Sequence, residues 1–456
     1  MDVRQVTSHA VHDEDDHGYK PDAVATAPPA RDDSQQNTDL EKRTAEASAA
    51  PIPETYPEGG LKAWMVVVGS WATMLSSLGL MNTIAIFHSY THNHQLSHYN
   101  EDTIGWIFSI YSFLAFACGI YIGPIFDKYG PKWLIIAGVI CTVSGTVAMS
   151  FSYELWHFIL SFGVLCGLGT SLIFTPSVAA IGHWFKARRS FATGMACTAG
   201  GIGGIIFPLM LSSLFDRVGF GWATRALALI CLVCGSVGIM LVQSRLPPSS
   251  NANAHPDFRI FRQTPFLFAT MGIFMMEFAL FIPLTYAASY AVFEGFSQDF
   301  AFQLIPILNA ASVVGRALPG YYGDVIGPFN VCIMAVLMCI ISILCVWLPS
   351  GHTTPGIILF VVLWGFASGT NISIAPVCIG MLCKTNEYGR YYATSYTIVS
   401  VACLIGVPIA GAIVRASGGQ YVGLIVFTAS INALAAVFLF LAKVFKLGWQ
   451  NWRAIY

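Results

Sequence analysis

Gly123-Pro124-Ile125-Phe126-Asp127-Lys128-Tyr129-Gly130-Pro131 returns 197 residues later as Gly320-Tyr321-Tyr322-Gly323-Asp324-Val325-Ile326-Gly327-Pro328. In both copies a glycine, an aspartate, a second glycine and a proline hold the same spacing, so each apolar run ends in a tight polar turn. Further along the chain, Gly169-Thr170 with Pro176 recur as Gly369-Thr370 with Pro376, at an offset of 200. Arg189, Ala192-Thr193 and Pro208 recur as Arg390, Ala393-Thr394 and Pro408, at offsets of 201, 201 and 200. Matches that keep their order along the chain mean two halves of the same topology.

The material between these marks is apolar. Of 456 residues, 55% are hydrophobic and 10% charged, against roughly 25% charged in an ordinary soluble domain. Residues 1–58 hold thirteen of the 24 acids and five of the 23 bases, leaving 11 acids and 18 bases for the other 398 residues. So few charges cannot coat a soluble globule of that size. A soluble enzyme is excluded, and nucleic-acid binding lacks its basic face. A hydrocarbon core of about 30 Å needs about 20 apolar residues per helix, and runs recur at 62–87, 103–126, 133–151, 155–182, 190–215, 222–244, 264–292, 300–323, 330–348, 355–382, 391–416 and 421–446. Backbone groups in lipid must be satisfied internally, and runs this long are helices. The chain therefore reads as an all-α polytopic membrane protein, twelve transmembrane helices in two parallel six-helix repeats. A repeat of this kind places a small-molecule site near the bilayer midplane between its halves.

The expected organisation is a disordered acidic cytoplasmic tail at 1–58, a six-helix bundle at 59–245, a cytoplasmic central loop at 246–263, a second bundle at 264–446 and a short cytoplasmic tail at 447–456. The tail has too little apolar surface to offset chain entropy, and no basic segment leads into an apolar one as in a cleavable signal. With the N-terminus inside, fourteen bases fall on cytoplasmic ends and three (Arg217, Arg225, Arg415) outside, which puts both termini in the cytosol. All twelve cysteines lie within or beside apolar runs. Even Cys231 and Cys234, a CxxC pair, read as packing residues rather than a redox or metal site.

The Gly-Asp-basic-Gly segment at 123–131 resembles the signature loop of the major facilitator superfamily. Glu58-Gly59-Gly60-Leu61-Lys62-Ala63-Trp64 resembles the acid-Gly-Gly-aromatic motif that opens the monocarboxylate transporter family. The stretch from His183 to Ala196, with Lys186, Arg188, Arg189 and Gly194, is similar to that family's second motif. The acidic tail and the wording of the motifs look like its fungal branch. This resemblance implies the major facilitator fold, alternating access, a monomer in the bilayer, a small organic solute as partner with protons as coupling ion, and the plasma membrane as location. It implies no cofactor and no metal.

Each candidate has a physical reading as well. Asp127 can meet a helix N-terminus or the bases Lys128 and Lys132, while Gly123 and Gly130 permit close approach and turning. Such a cluster either locks one face of a carrier or only orients the chain. Its second copy, Asp324, has no basic neighbours, so a weaker lock is expected there. Span five carries Gly194, Gly200, Gly201, Gly203 and Gly204, a surface for close packing or for sliding. Ionisable groups at membrane depth are functional candidates. Arg316 matches the family's substrate-anion arginine, and its planar fork suits a carboxylate; a structural tie to a carbonyl or acid is the alternative. Glu277 can carry the coupling proton, or pair with Arg316. The family's substrate lysine falls at Asn82, and an aspartate of animal members falls at Ser312, so lactate-type uptake is in doubt and a larger or less charged solute fits better. Polar groups in apolar spans add Tyr286, Tyr290, Asn309, Asn371 and Tyr396 as lining residues. His88 and His92, and His94 and His98, have helical spacing that can suit a metal, but without a cysteine cluster a solvated external loop that charges at acidic pH is the better reading. The competing class is a transporter-like receptor that senses a solute and signals through its tail.

Overall fold

The computed structural model describes residues 56–246 and 257–451, so most of the acidic tail and parts of the central loop and C-terminal tail lie outside the described residues. Apolar helices run over α1 (Leu61–Asn93), α2 (Thr103–Tyr129), α3 (Lys132–Met149) and α4 (Leu155–Trp184). One continuous stretch, Arg189–Leu241, has 53 residues. At about 1.5 Å per residue a straight rod of that length would far exceed a bilayer of about 30 Å. It is broken at Gly219, whose φ of 79° is closed to most side chains, giving α5 (189–218) and α6 (220–241). The second half follows as α7 (Thr264–Phe293), α8 (Gln298–Ile326), α9 (Pro328–Ser350), α10 (Thr354–Gly380), α11 (Thr385–Ala416) and α12 (Val422–Leu447). These are the twelve expected spans, with ends displaced by a few residues.

Local chemistry sets the ends. The Ser297 hydroxyl accepts from the Phe300 N–H at the start of α8, and the Thr353 hydroxyl accepts from the Gly356 N–H at the start of α10. In both copies of the repeated motif the second glycine stops a helix: Gly130 has φ 79° and Gly327 has φ 91°. The α1 helix is interrupted at Asn82–Thr83 and resumes over Ile84–Asn93. That resumed segment carries His88 and His92, but ends before His94 and His98, which therefore do not share a helix face. The His94 ring instead stacks on Tyr90 at 4.0 Å.

Glycines bring the helices together. A side-chain carbon at Gly203 of α5 would press on Gly79 of α1, and one at Gly238 of α6 would overlap Thr73. Within the second half, Gly315 of α8 lies on the Phe366 backbone and Gly365 of α10 on the Leu308 carbonyl. The two halves meet along two seams. The first is α5 against α8, where Gly194, Gly201 and Gly204 face Arg316, Val313 and Asn309. The second is α2 against α11, where Gly123 meets Gly389 and Ala393. The glycine run of α5 thus serves the junction between halves and the contact with α1, where Gly203 meets Gly79 and Gly200 lies between Leu78 and Arg316.

Candidate functional site

Both aspartates of the repeat end on the opposite half. The Asp127 carboxylate accepts the N–H of Gly389 at 3.1 Å and of Arg390 at 2.8 Å, in the first turn of the α11 helix. The Asp324 carboxylate accepts the N–H of Ser190 at 2.8 Å and of Phe191 at 3.0 Å, in the first turn of α5. Each carboxylate therefore caps, across the seam, a helix start whose amides have no partner within the helix. The bases beside Asp127 are not its partners: Lys128 lies over the Tyr129 ring at 5.4 Å and Lys132 is exposed. The weaker second lock expected from its missing bases is not what the geometry shows, because the donors are backbone amides in both copies. Close approach makes the clamps possible. A side-chain carbon at Gly123 would overlap the Gly389 carbonyl, and one at Gly320 would press on the Ser190 carbonyl.

The family-like motifs, far apart in sequence, meet at this same end. The Glu58 carboxylate accepts three amides, from Lys186 at 3.0 Å, Ala187 at 2.8 Å and Arg188 at 3.1 Å. Gly59 and Gly60 carry the chain round from it at φ 155° and 85°. Trp64 packs edge-on against Phe185 and Phe191. Arg189 is buried; its guanidinium lies 4.1 Å from the Tyr388 ring centroid and fills a slot between Gly182 of the first half and Gly380 of the second.

Deeper in the seam, Arg316 is 4% exposed and donates from Nη1 to the Cys197 carbonyl at 2.8 Å, while its Nε has no partner. Glu277 is 5% exposed and makes no hydrogen bond among the described residues. The two are near enough for their charges to interact but form no ion pair, so Arg316 is tied to the other half through a carbonyl instead. A buried charge pair left partly unsatisfied is costly, and an incoming polar solute or proton is one way to satisfy it. Four rings, two from each half, cluster where α2 and α4 meet α11, and Tyr392 and Tyr396 among them are near enough to Glu277 to feel its charge. Phe116 lies 5.6 Å from Tyr396, Phe174 lies 6.4 Å from Tyr392, and Tyr392 and Tyr396 are 4.5 Å apart. The Tyr392 hydroxyl is buried without a hydrogen bond of ordinary geometry.

The remaining candidates divide. Tyr396 joins this centre. Asn309 sits on the α5–α8 seam, where its amide donates to the Gly204 and Ile305 carbonyls. Asn82 donates to the Leu78 and Gly200 carbonyls and so ties α1 to α5. The Tyr286 hydroxyl donates to the Val407 carbonyl at 3.4 Å. Tyr290 packs edge-on against Trp347 and Tyr421, away from the ionic centre. Ser312 is buried beside Gly369, and the Asn371 amide approaches the Cys339 sulfur at 3.7 Å while its carbonyl oxygen has no partner. Sequence reasoning missed Tyr392, Phe116 and Phe174. The spacing of four in Tyr388, Tyr392 and Tyr396 was the available signal for one helix face.

Comparison with known proteins agrees with this architecture. The family profile described as Major Facilitator Superfamily matches residues 69–407. The chain is 34% identical to a riboflavin transporter, MCH5, of Saccharomyces cerevisiae, over 87% of this chain and 81% of that protein. It is 33% identical to the aspyridones efflux protein apdF of Emericella nidulans, over 88% of this chain and 82% of that one. Among solved structures, the human organic anion transporter MFSD10 (TETRAN) superposes with a TM-score of 0.65 at 14% identity, covering 83% of this chain and 98% of that one.

Proposed function

We propose, from the premise that this chain belongs to the Major Facilitator Superfamily, that it is a secondary active transporter carrying a small organic solute by alternating access. The observation that carries this reading is the pair of trans caps made by Asp127 and Asp324, which close one end with bonds that can be broken and remade. The two bundles, 59–245 and 264–446, are the bodies that rock. The base-rich end faces the cytosol, both termini with it, in the plasma membrane, and the protein acts as a monomer. Within the superfamily the motifs at 58–64 and 183–196 favour a monocarboxylate-porter-like branch of fungal type.

The solute sits at the seam near Arg316, which offers its unpartnered Nε to an acidic or acceptor group, and Glu277 carries the coupling proton. The rings Phe116, Phe174, Tyr392 and Tyr396 favour a conjugated or ring-bearing solute over a small aliphatic acid. Efflux of a secondary metabolite fits that chemistry and the apdF likeness; uptake fits the MCH5 likeness. Comparing metabolites in cells and medium with and without the gene tests the reading. A ring-bearing acid should accumulate on one side when the gene is lost. An unchanged profile on both sides would defeat it.

A further inference from the structure

The segment before α1 crosses the closed end. The Tyr56 hydroxyl is hydrogen-bonded to the Thr385 hydroxyl at the start of α11, in the second half. Its ring lies beneath cations of the first half, Lys186 at 5.4 Å and Arg245 at 5.8 Å. Two residues on, Glu58 gathers the amides of Lys186, Ala187 and Arg188. One residue beyond these, past Arg189, come the amides of Ser190 and Phe191, which Asp324 holds from the opposite half. On the other side, Thr385 stands four residues before Gly389, whose amide Asp127 holds. One short strap therefore touches the helix starts used by both clamps.

We infer that Tyr56 and Glu58 are positioning residues of the gate. Glu58 fixes the turn that aims the Ser190 and Phe191 amides at Asp324, and Tyr56 ties that turn to the α11 start that Asp127 caps. The two clamps then open together, because separating the halves at either clamp pulls the strap off Thr385. This rests on the reading of the Asp127 and Asp324 end as a gate, and it gives a role to the Glu58-Gly59-Gly60 motif that the solute site does not use.

The test reads conformation rather than flux. Dyes attached through azido side chains at exposed positions Lys132 and Lys446, one on each half, report separation of the base-rich end by single-molecule energy transfer in the full chain in lipid. Tyr56→Phe keeps the ring and loses the hydroxyl, and should lower the closed-to-open ratio about fivefold, the worth of one hydrogen bond. Thr385→Val should do the same, and the double variant should add nothing. Glu58→Gln should lower the ratio further and be non-additive with Asp324→Asn. Unchanged ratios in both Tyr56→Phe and Thr385→Val, or fully additive effects, would overturn the proposal. If Glu58→Gln fails to reach the membrane, the Tyr56 and Thr385 pair still decides. Because the readout needs no solute, the expected ratio changes in an unaltered chain that carries no solute would count against the transport reading alone, whereas unchanged ratios in a chain that does carry solute would count against the strap alone.

Discussion

The Asp127 and Asp324 clamps are the same device built twice, with different surroundings. Asp127 is 7% exposed and has Lys128 and Lys132 close by in sequence, whereas Asp324 is half-buried and followed by Val325 and Ile326. Despite this, each accepts two first-turn amides of a helix from the other half, at 2.8–3.1 Å. What is repeated is the glycine that allows approach, the carboxylate and the glycine that ends the helix. The bases belong to one copy only and bind neither carboxylate. The comparison therefore separates two features of one motif: the bonds between the halves are made by carboxylate and main chain in both copies, and the lysines take no part in them.

The largest expected effect comes from the close approach itself. Gly123→Leu would drive a side chain into the Gly389 carbonyl, and overpacking of about 3 kcal/mol corresponds to roughly a hundredfold loss of the closed state. Transport assays should find it inactive with normal membrane delivery, and near-normal flux would break the account of the seam. Next, Asp127→Asn and Asp324→Asn should each shift the conformational ratio by about 1–2 kcal/mol, the scale of an anion at a helix start. Equal shifts by energy transfer sharpen the comparison; a much smaller shift for Asp324→Asn would restore the importance of the bases. Arg316 lies two turns before Asp324 on α8, and Arg316→Lys should raise KM about fivefold while leaving the conformational ratio within twofold, if its fork meets the solute. A changed ratio with unchanged KM would mean that its bond to the Cys197 carbonyl is its whole role. Smallest of all, Lys128→Gln combined with Lys132→Gln should alter exchange by less than about twofold.

Architecture was legible because membrane depth and repetition each leave a direct mark on sequence. Run lengths gave the spans, and the break between the fifth and sixth fell between the expected ends at 215 and 222, at Gly219. The trans caps were half legible. A carboxylate beside glycines can be expected at a helix N-terminus, but which helix depends on contacts 262 residues away in the chain. Lining residues were the least legible. Polar side chains in an apolar span can turn to a solute or bond a neighbouring carbonyl, and Asn82 and Asn309 do the latter. Arg189 was legible as part of a motif, but its burial against Tyr388 depends on two glycines, Gly182 and Gly380, that meet only in the folded chain.

A lock that grips main-chain amides reads almost nothing of the side chains at the positions it holds. Phe191 and Arg390 can be replaced without removing a donated N–H, provided the helix starts keep their place, whereas the Ser190 hydroxyl also bonds Asp324. Under the transport reading proposed above, substitutions at Phe116, Tyr392 and Tyr396 would alter the choice of solute while leaving the Asp127 and Asp324 caps in place.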